Sequence, residues 1–207
     1  MNSITWYGPL NDHYSRQILK TIKCAAECYP RLLALRVDLR LPGQGIPART
    51  DSACISRFFD ALNAKLKADA ARKKKEGKRV HPCTVRYMWA REFNQDGKKK
   101  HYHVALLLNK DAYAFLGDFN KEEGTLAAMI TQAWTSALGV AYPEFQSLPH
   151  FPKNPCYFLD KKNPHDGKKL TALIERVAYL AKETSKISKD GERNFGTSLN
   201  RTGFSGD

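Results

Sequence analysis

The sequence predicts an α+β fold: a split βαβ arrangement around a central antiparallel sheet, with helices packed mainly on one face and further helices at the amino and carboxyl ends. Three observations predict it. Polar and apolar residues alternate with period two in Leu33 to Leu41, Cys83 to Phe93 and Lys100 to Leu108, as half-buried strands do. Apolar residues at helical spacing fill the stretches between and after them. The second and third strand segments flank Asn94-Gln95-Asp96-Gly97-Lys98, whose Asp-Gly pair marks a hairpin and so makes those strands antiparallel neighbours.

In chain order, Asn11 or Asp12 can cap a first helix with Tyr14, Ile18, Ile22 and Ala25 on one side, ended by Pro30. In the first strand Leu35, Val37, Leu39 and Leu41 alternate with Arg36, Asp38 and Arg40. The turn Pro42 to Pro47 leads to a helix from about Asp51 with Ile55, Phe58, Phe59, Leu62 and Leu66 as its stripe. It trails into Arg72-Lys73-Lys74-Lys75 and Gly77, expected to be a mobile basic tail. After the hairpin, Ile130, Ala133, Trp134 and Ala137 define a helix over Leu126 to Leu138, stopped by Gly139. A proline-punctuated loop precedes a short strand, Cys156 to Leu159, and a last helix spans Lys168 to Lys186. This reads as one domain over 1–207: a helical extension (1–30), a core (31–186) and a flexible tail (187–207).

With 207 residues, 42% hydrophobic and 11% aromatic, the chain can fill a core, which excludes disorder throughout. Its 34 Lys and Arg against 21 Asp and Glu leave a net charge of +13, which favours a polyanionic partner. Apolar runs such as Val104 to Leu108 are far shorter than the ~20 residues of a membrane span. The start Met-Asn-Ser-Ile-Thr-Trp has no signal-peptide pattern. The expectation is a soluble cytoplasmic protein with no membrane partner. Five scattered cysteines (Cys24, Cys28, Cys54, Cys83, Cys156) read as reduced thiols, and no Cys-x-x-Cys knuckle points to zinc.

His101-Tyr102-His103 is the sharpest chemical feature. Residues two apart on a strand share a face, so the two imidazoles project together and Tyr102 points the other way. A hairpin turning about Asp96 and Gly97 pairs residues whose numbers sum to about 193, which sets Glu92 opposite His101 on the same face. Two imidazoles and a carboxylate suit a divalent ion such as Mn²⁺ or Mg²⁺ with positions left open for substrate oxygens. Arg36, Asp38, Arg40 and Arg86 share that face, and Lys98, Lys99 and Lys100 lie beside the histidine strand. These seven are the expected nucleic-acid contacts, supplemented by the Arg72 to Arg79 cluster, Lys161-Lys162 and Lys168-Lys169. An isolated His-x-His is more often a pair of surface histidines, and any single basic run is usually a solvated face.

The last helix supplies a second feature. Leu170, Leu173, Ile174, Val177 and Ala181 form its apolar stripe, and at about 100° per residue Tyr179 falls opposite Leu170. A phenol becomes a useful nucleophile only when its phenolate is stabilised, and Lys182, one turn on, can do that. The ordinary alternative is an amphipathic surface tyrosine.

The strand with alternating polar positions, His101-Tyr102-His103 in a central strand and Tyr179-x-x-Lys182 in a late helix together resemble the HUH endonuclease superfamily of rolling-circle replication initiators, relaxases and related transposases. More narrowly, Arg176-Val-Ala-Tyr-Leu-Ala-Lys-Glu-Thr-Ser and Gly191-Glu-Arg-Asn-Phe-Gly-Thr-Ser look like the inovirus-type replication proteins and the YagK/YfjJ family of prophage proteins. The resemblance covers most of residues 30 to 200. It implies a ferredoxin-like core and a single-tyrosine nickase in which His101, His103 and a third polar residue, matched to Glu92 by the hairpin register, hold Mn²⁺ or Mg²⁺ at a scissile phosphate. Tyr179 would attack, leaving a 5′-phosphotyrosine and a free 3′-hydroxyl at a replication origin in single-stranded DNA. With no Walker-type phosphate loop, a host helicase and polymerase would complete replication. The alternative is a noncatalytic DNA-binding or regulatory protein that retains the fold. An RNA-binding module on the same architecture lacks the exposed stacking aromatics it would need.

Overall fold

The computed structural model describes residues 8–94, 97, 99–184, 186 and 190–198. The chain order is α1 (Asp12–Cys28), β1 (Arg31–Arg40), α2 (Cys54–Lys75), β2 (Arg86–Phe93), β3 (Lys100–Asn109) and α3 (Leu126–Leu138). There follow β4 (Pro149–His150), β5 (Cys156–Asp160), α4 (Gly167–Ala178) and β6 (Phe195–Thr197). Pairing is antiparallel throughout, in the order β4-β1-β3-β2-β6 with β5 also on β1. The α+β class, the antiparallel sheet and the split βαβ order are those the sequence predicts.

Local chemistry accounts for the boundaries. Asn11 Oδ1 accepts the Tyr14 N–H at 3.0 Å and caps α1. Thr125 caps α3 through the Ala128 N–H at 3.1 Å, and Gly139, at φ 69°, ends it in the left-handed conformation. The β2–β3 connection closes where Asn94 N–H donates to the Lys99 carbonyl at 3.1 Å and Asn94 Oδ1 accepts the Lys99 N–H at 2.8 Å. Gln95, Asp96 and Lys98 of the expected turn lie outside the described residues.

The helices do not sit mainly on one face: two cover each. Against α2 and α3 pack Leu33, Leu35, Val37 and Leu39 of β1 with Trp89, Tyr102, Val104 and Leu106. Against α1 and α4 pack Leu32, Ala34, Met88, Ala90, Ala105 and Leu107. The reason lies in the second face itself. Its polar residues gather at one end, while its middle carries Ala34, Ala90 and Ala105, small enough to let helices approach closely. Alternation in β1 alone shows only that polar end.

Two other expectations change. The basic end of α2 is helical through Lys75, tied by Arg72 to Asp69 at 2.7 Å and to Glu76 at 2.6 Å. Residues 190–198, expected within a flexible tail, are partly built into the sheet as β6 on β2. Arg91, 1% exposed, holds this segment through Asp190 (2.6 Å), Glu192 (2.8 Å) and Asn194 Oδ1 (2.8 Å). A buried guanidinium requires such compensation, so the tail's acids and amide are part of the fold. The rest of the expected tail, 187–189 and 199–207, is outside the described residues. No helix among the described residues is long and apolar enough to cross a membrane.

Candidate functional site

Antiparallel pairing sets Glu92 opposite His101 and His103 between Ala90 and Asp38. Because all these residues point toward the α1/α4 side, one carboxylate from β2, two imidazoles from β3 and one carboxylate from β1 meet at the polar end of that face. Glu92, His101 and His103 can each offer a ligand atom within 4.8 Å of the others. The His101 and His103 Nε2 atoms are 3.1 Å apart, and His103 Nε2 is 3.5 Å from Glu92 Oε2. Two ligands at about 2.1 Å from a metal and at a right angle stand about 3.0 Å apart, so the His101–His103 and His103–Glu92 pairs are spaced nearly as neighbouring ligands of one divalent ion are.

Asp38 has a different part from the expected DNA contact. Its Oδ1 accepts the His103 Nδ1–H at 2.6 Å, an assignment that leaves the His103 Nε2 lone pair directed to the ligand cluster. Arg36, only 4% exposed, adds Nη2 to Asp38 Oδ1 at 3.2 Å and Nη1 to the Arg176 carbonyl of α4 at 3.3 Å. It therefore ties β1 to the last helix and is too buried to reach DNA. Burial works against the charged form of Asp38, yet His103 and Arg36 hold its carboxyl well below the usual range. Burial likewise opposes protonation of His103, but Asp38 and Glu92 outweigh it and raise its pKa. Burial, with His103 beside it, lowers that of His101.

Tyr179 reaches this cluster. Its hydroxyl donates to Glu92 Oε2 at 3.0 Å, and its ring stands edge-on to the His103 ring at 5.0 Å between centroids. Burial and the neighbouring Glu92 carboxylate push the phenol's pKa up, so in this arrangement it is held protonated. A helical projection with Leu170 inside the buried stripe puts Tyr179 on the outer side. Leu170 is 38% exposed, whereas Leu173, Val177 and Leu180 are buried, and these centre about 130° from Tyr179 instead of 180°. The α-helix also ends at Ala178, and Tyr179–Ala181 form a tighter 3₁₀ turn. The expected helix to Lys186 therefore stops early, while Ala178 and Tyr179 themselves keep right-handed helical dihedrals.

Lys182 lies close by, with Nζ 5.3 Å from the centroid of the Tyr179 ring, over its face. Lys186 enters the site, a place not foreseen for it: it is buried, with Nζ 3.7 Å from Glu92 Oε1. Burial lowers its pKa against the pull of Glu92. His150 of β4 stands 3.7 Å from Asp38 Oδ2. The positions of both depend on segments without periodic pattern, and only the pairing of β4 with Asp38 brings His150 near.

The remaining expected contacts scatter. Arg40 pairs with His101 in register and is exposed at the rim. Arg86 shares the face but lies six residues from Glu92, about 20 Å along the strand, where it donates to Cys28 Sγ at 3.3 Å. Lys100 turns to the opposite face, where Nζ meets Glu192 at 3.1 Å and the Thr50 carbonyl at 2.9 Å. Lys99 is exposed near the site, and Lys98 lies outside the described residues. All five cysteines are free thiols.

The chain matches the family model for the YagK/YfjJ C-terminal domain over residues 2–198, and it belongs to that family. The uncharacterized protein YagK of Escherichia coli strain K12 is 41% identical over 194 residues, covering 89% of this chain and 91% of the relative. The uncharacterized protein YfjJ of the same strain is 38% identical over 194 residues, covering 89% and 93%. No solved structure matches the chain.

Proposed function

We propose that this protein is a metal-dependent nicking and joining enzyme for single-stranded DNA, of the HUH endonuclease type, acting at the replication origin of a phage, prophage or plasmid element. The observation that carries the reading is the meeting of three separate elements at one point: the Tyr179 hydroxyl from the end of α4, Glu92 of β2 and the two imidazoles of β3. A tyrosine at the margin of an amphipathic helix has no packing reason to reach a carboxylate–histidine cluster.

Glu92, His101 and His103 would hold Mn²⁺ or Mg²⁺, which would polarise the oxygens of a scissile phosphate and offset their growing charge. Asp38 and Arg36 keep His103 in its ligating tautomer and orientation. Tyr179 Oη would attack phosphorus, forming the tyrosyl ester to the 5′ side as the bond to O3′ breaks. Its proton would pass to Glu92 Oε2, the acceptor of its hydrogen bond, or on to solvent, and the O3′ would leave as a hydroxyl on taking a proton from solvent or from that protonated carboxyl. Lys182 and Lys186 supply positive charge beside the phenol. Attack by a 3′-hydroxyl on the phosphotyrosine would reverse the step and reseal the strand. Origin unwinding and extension would fall to a host helicase and polymerase.

The test is incubation of the purified protein with a pool of single-stranded oligonucleotides and Mn²⁺, followed by mass analysis for a covalent adduct on Tyr179. The expected result is an adduct that disappears in Tyr179→Phe and in the double variant His101→Ala/His103→Ala. An adduct surviving in Tyr179→Phe overturns the nucleophile assignment. DNA binding with no adduct under any divalent ion favours the noncatalytic DNA-binding reading.

A further inference from the structure

The end of the molecule remote from the histidines carries a concentration of charge that the chemistry above does not use. Between Lys65 and His81 there are eight Lys and Arg against two acids, a net +6 out of the chain's +13 in 17 residues. Both acids are already matched by more than one cation: Asp69 by Arg72 and Lys73, and Glu76 by Arg72 and Lys78. Lys67, Lys74, Lys75 and Arg79 are exposed and form no ion pair among the described residues. Lys67 and Lys74 are seven residues apart on α2, so they lie on one side of the helix about 10.5 Å apart. Beside them the 78–84 segment folds back on α2 and leaves a cleft of about 420 Å³, lined by Lys67, Lys73, Lys78, Arg79 and His81.

We propose that this pole is a second DNA-binding surface, which holds the phosphate backbone of duplex DNA independently of the metal centre. A row of unneutralised cations on an ordered helix is suited to phosphate contact and counterion release. Single strands are instead bound largely by stacking on exposed aromatics, and Tyr113, the aromatic ring in this cleft's lining besides His81, is 8% exposed with its hydroxyl held by Asp69 at 3.0 Å. Among the large apolar residues from Lys65 to Thr84, only Val80 counts as exposed, at 36%, so little is available to enter a bilayer.

Geometry separates this surface from the candidate site. α2 begins behind the site, on the other face of the sheet, where Cys54 Sγ meets the Tyr102 hydroxyl at 3.4 Å, and its 22 residues carry the chain about 32 Å away. A DNA molecule engaging both would have about nine base pairs of duplex, at 3.4 Å each, between the pole and the reacting strand. The inference does not depend on the nicking chemistry, because it concerns binding alone.

The experiment compares the full-length protein with Lys67→Gln/Lys74→Gln/Lys75→Gln/Arg79→Gln and with a control, Arg16→Gln/Lys20→Gln/Lys23→Gln, which neutralises exposed cations of α1. Affinity for a 20-base-pair duplex, a 20-nucleotide single strand and phosphatidylserine vesicles is measured between 50 and 200 mM salt, with thermal unfolding to check the fold. At roughly 0.9 per phosphate contact on duplex, the pole variant is expected to flatten the slope of log affinity against log salt by about 3, and the control by less than about 1. An unchanged duplex slope, an equal loss per charge in the control, or a loss confined to the single strand or to vesicles overturns the proposal. His101→Ala/His103→Ala is expected to keep the duplex slope, so failure of the nicking reading and failure of this one give different results.

Discussion

The two faces of the sheet use the same strands in opposite ways. Toward α2 and α3 most strand positions are apolar or aromatic, Lys100 and the buried Arg91 at one end being the charged exceptions, and Trp134 and Phe58 meet edge to face at 5.8 Å within a continuous core. Toward α1 and α4 the apolar packing occupies only part of the face, and where it stops Arg36, Asp38, Glu92, His101 and His103 form a connected polar cluster. One face is mainly packed core. The other is divided along the strands, so the helices that cover its apolar part also carry Tyr179 and Lys186 to its polar part. The lesson is that the site depends on incomplete cover: apolar packing stops short of the polar end, and Tyr179 stands where the two meet.

Substitutions on the two faces should separate these roles. On the proposed chemistry the largest expected effect is that of Tyr179→Phe, which removes the hydroxyl proposed to form the ester. Adduct formation and nicking should fall by about a thousandfold or more with a thermal midpoint close to that of the parent, measured by gel assay and calorimetry. On the other face Trp134→Ala should destabilise the fold by about 3–5 kcal/mol, since the indole is fully buried and its N–H donates to the Arg40 carbonyl at 2.7 Å. Denaturant unfolding measures this, and a loss below about 1 kcal/mol would break the contrast between the faces.

Intermediate in size is Asp38→Asn. An amide cannot hold the His103 Nδ1–H as a carboxylate does, so Mn²⁺ affinity should drop about 10–100-fold, read by calorimetric titration, while the fold persists. Equal metal affinity in this variant would show that Asp38 does not orient His103. A pair of leucines that ends on the smallest expected effect, that of Leu170→Ala, sharpens the orientation of α4. Leu173→Ala, at a buried position, should cost about 2–5 kcal/mol, whereas Leu170→Ala, at a position 38% exposed, should stay within about 0.5 kcal/mol. If the two cost the same, the helix is rotated from the orientation that places Tyr179 at Glu92.

Much of this architecture was legible in the residues. The period-two strands, the hairpin register that sets Glu92 against His101, the cap at Asn11 and the stop at Gly139 all follow from contacts within a few residues or across one turn. Local rules determine them because the interacting groups are close in the chain. Tyr179 was identified as a residue needing a reason, but its direction was not, since the projection assumed one regular helix and Leu170 within its buried side.

By itself, then, the amino-acid order determined the α+β class, the antiparallel core and the shared direction of His101, His103 and Glu92. Tertiary structure alone decided that helices cover both faces, that Asp38 serves His103 and that Arg91 draws the 190–194 segment into the fold. Those outcomes join residues as much as 103 positions apart, as Arg91 and Asn194 are. Their geometry is set by how whole helices and strands pack, which no local periodicity encodes.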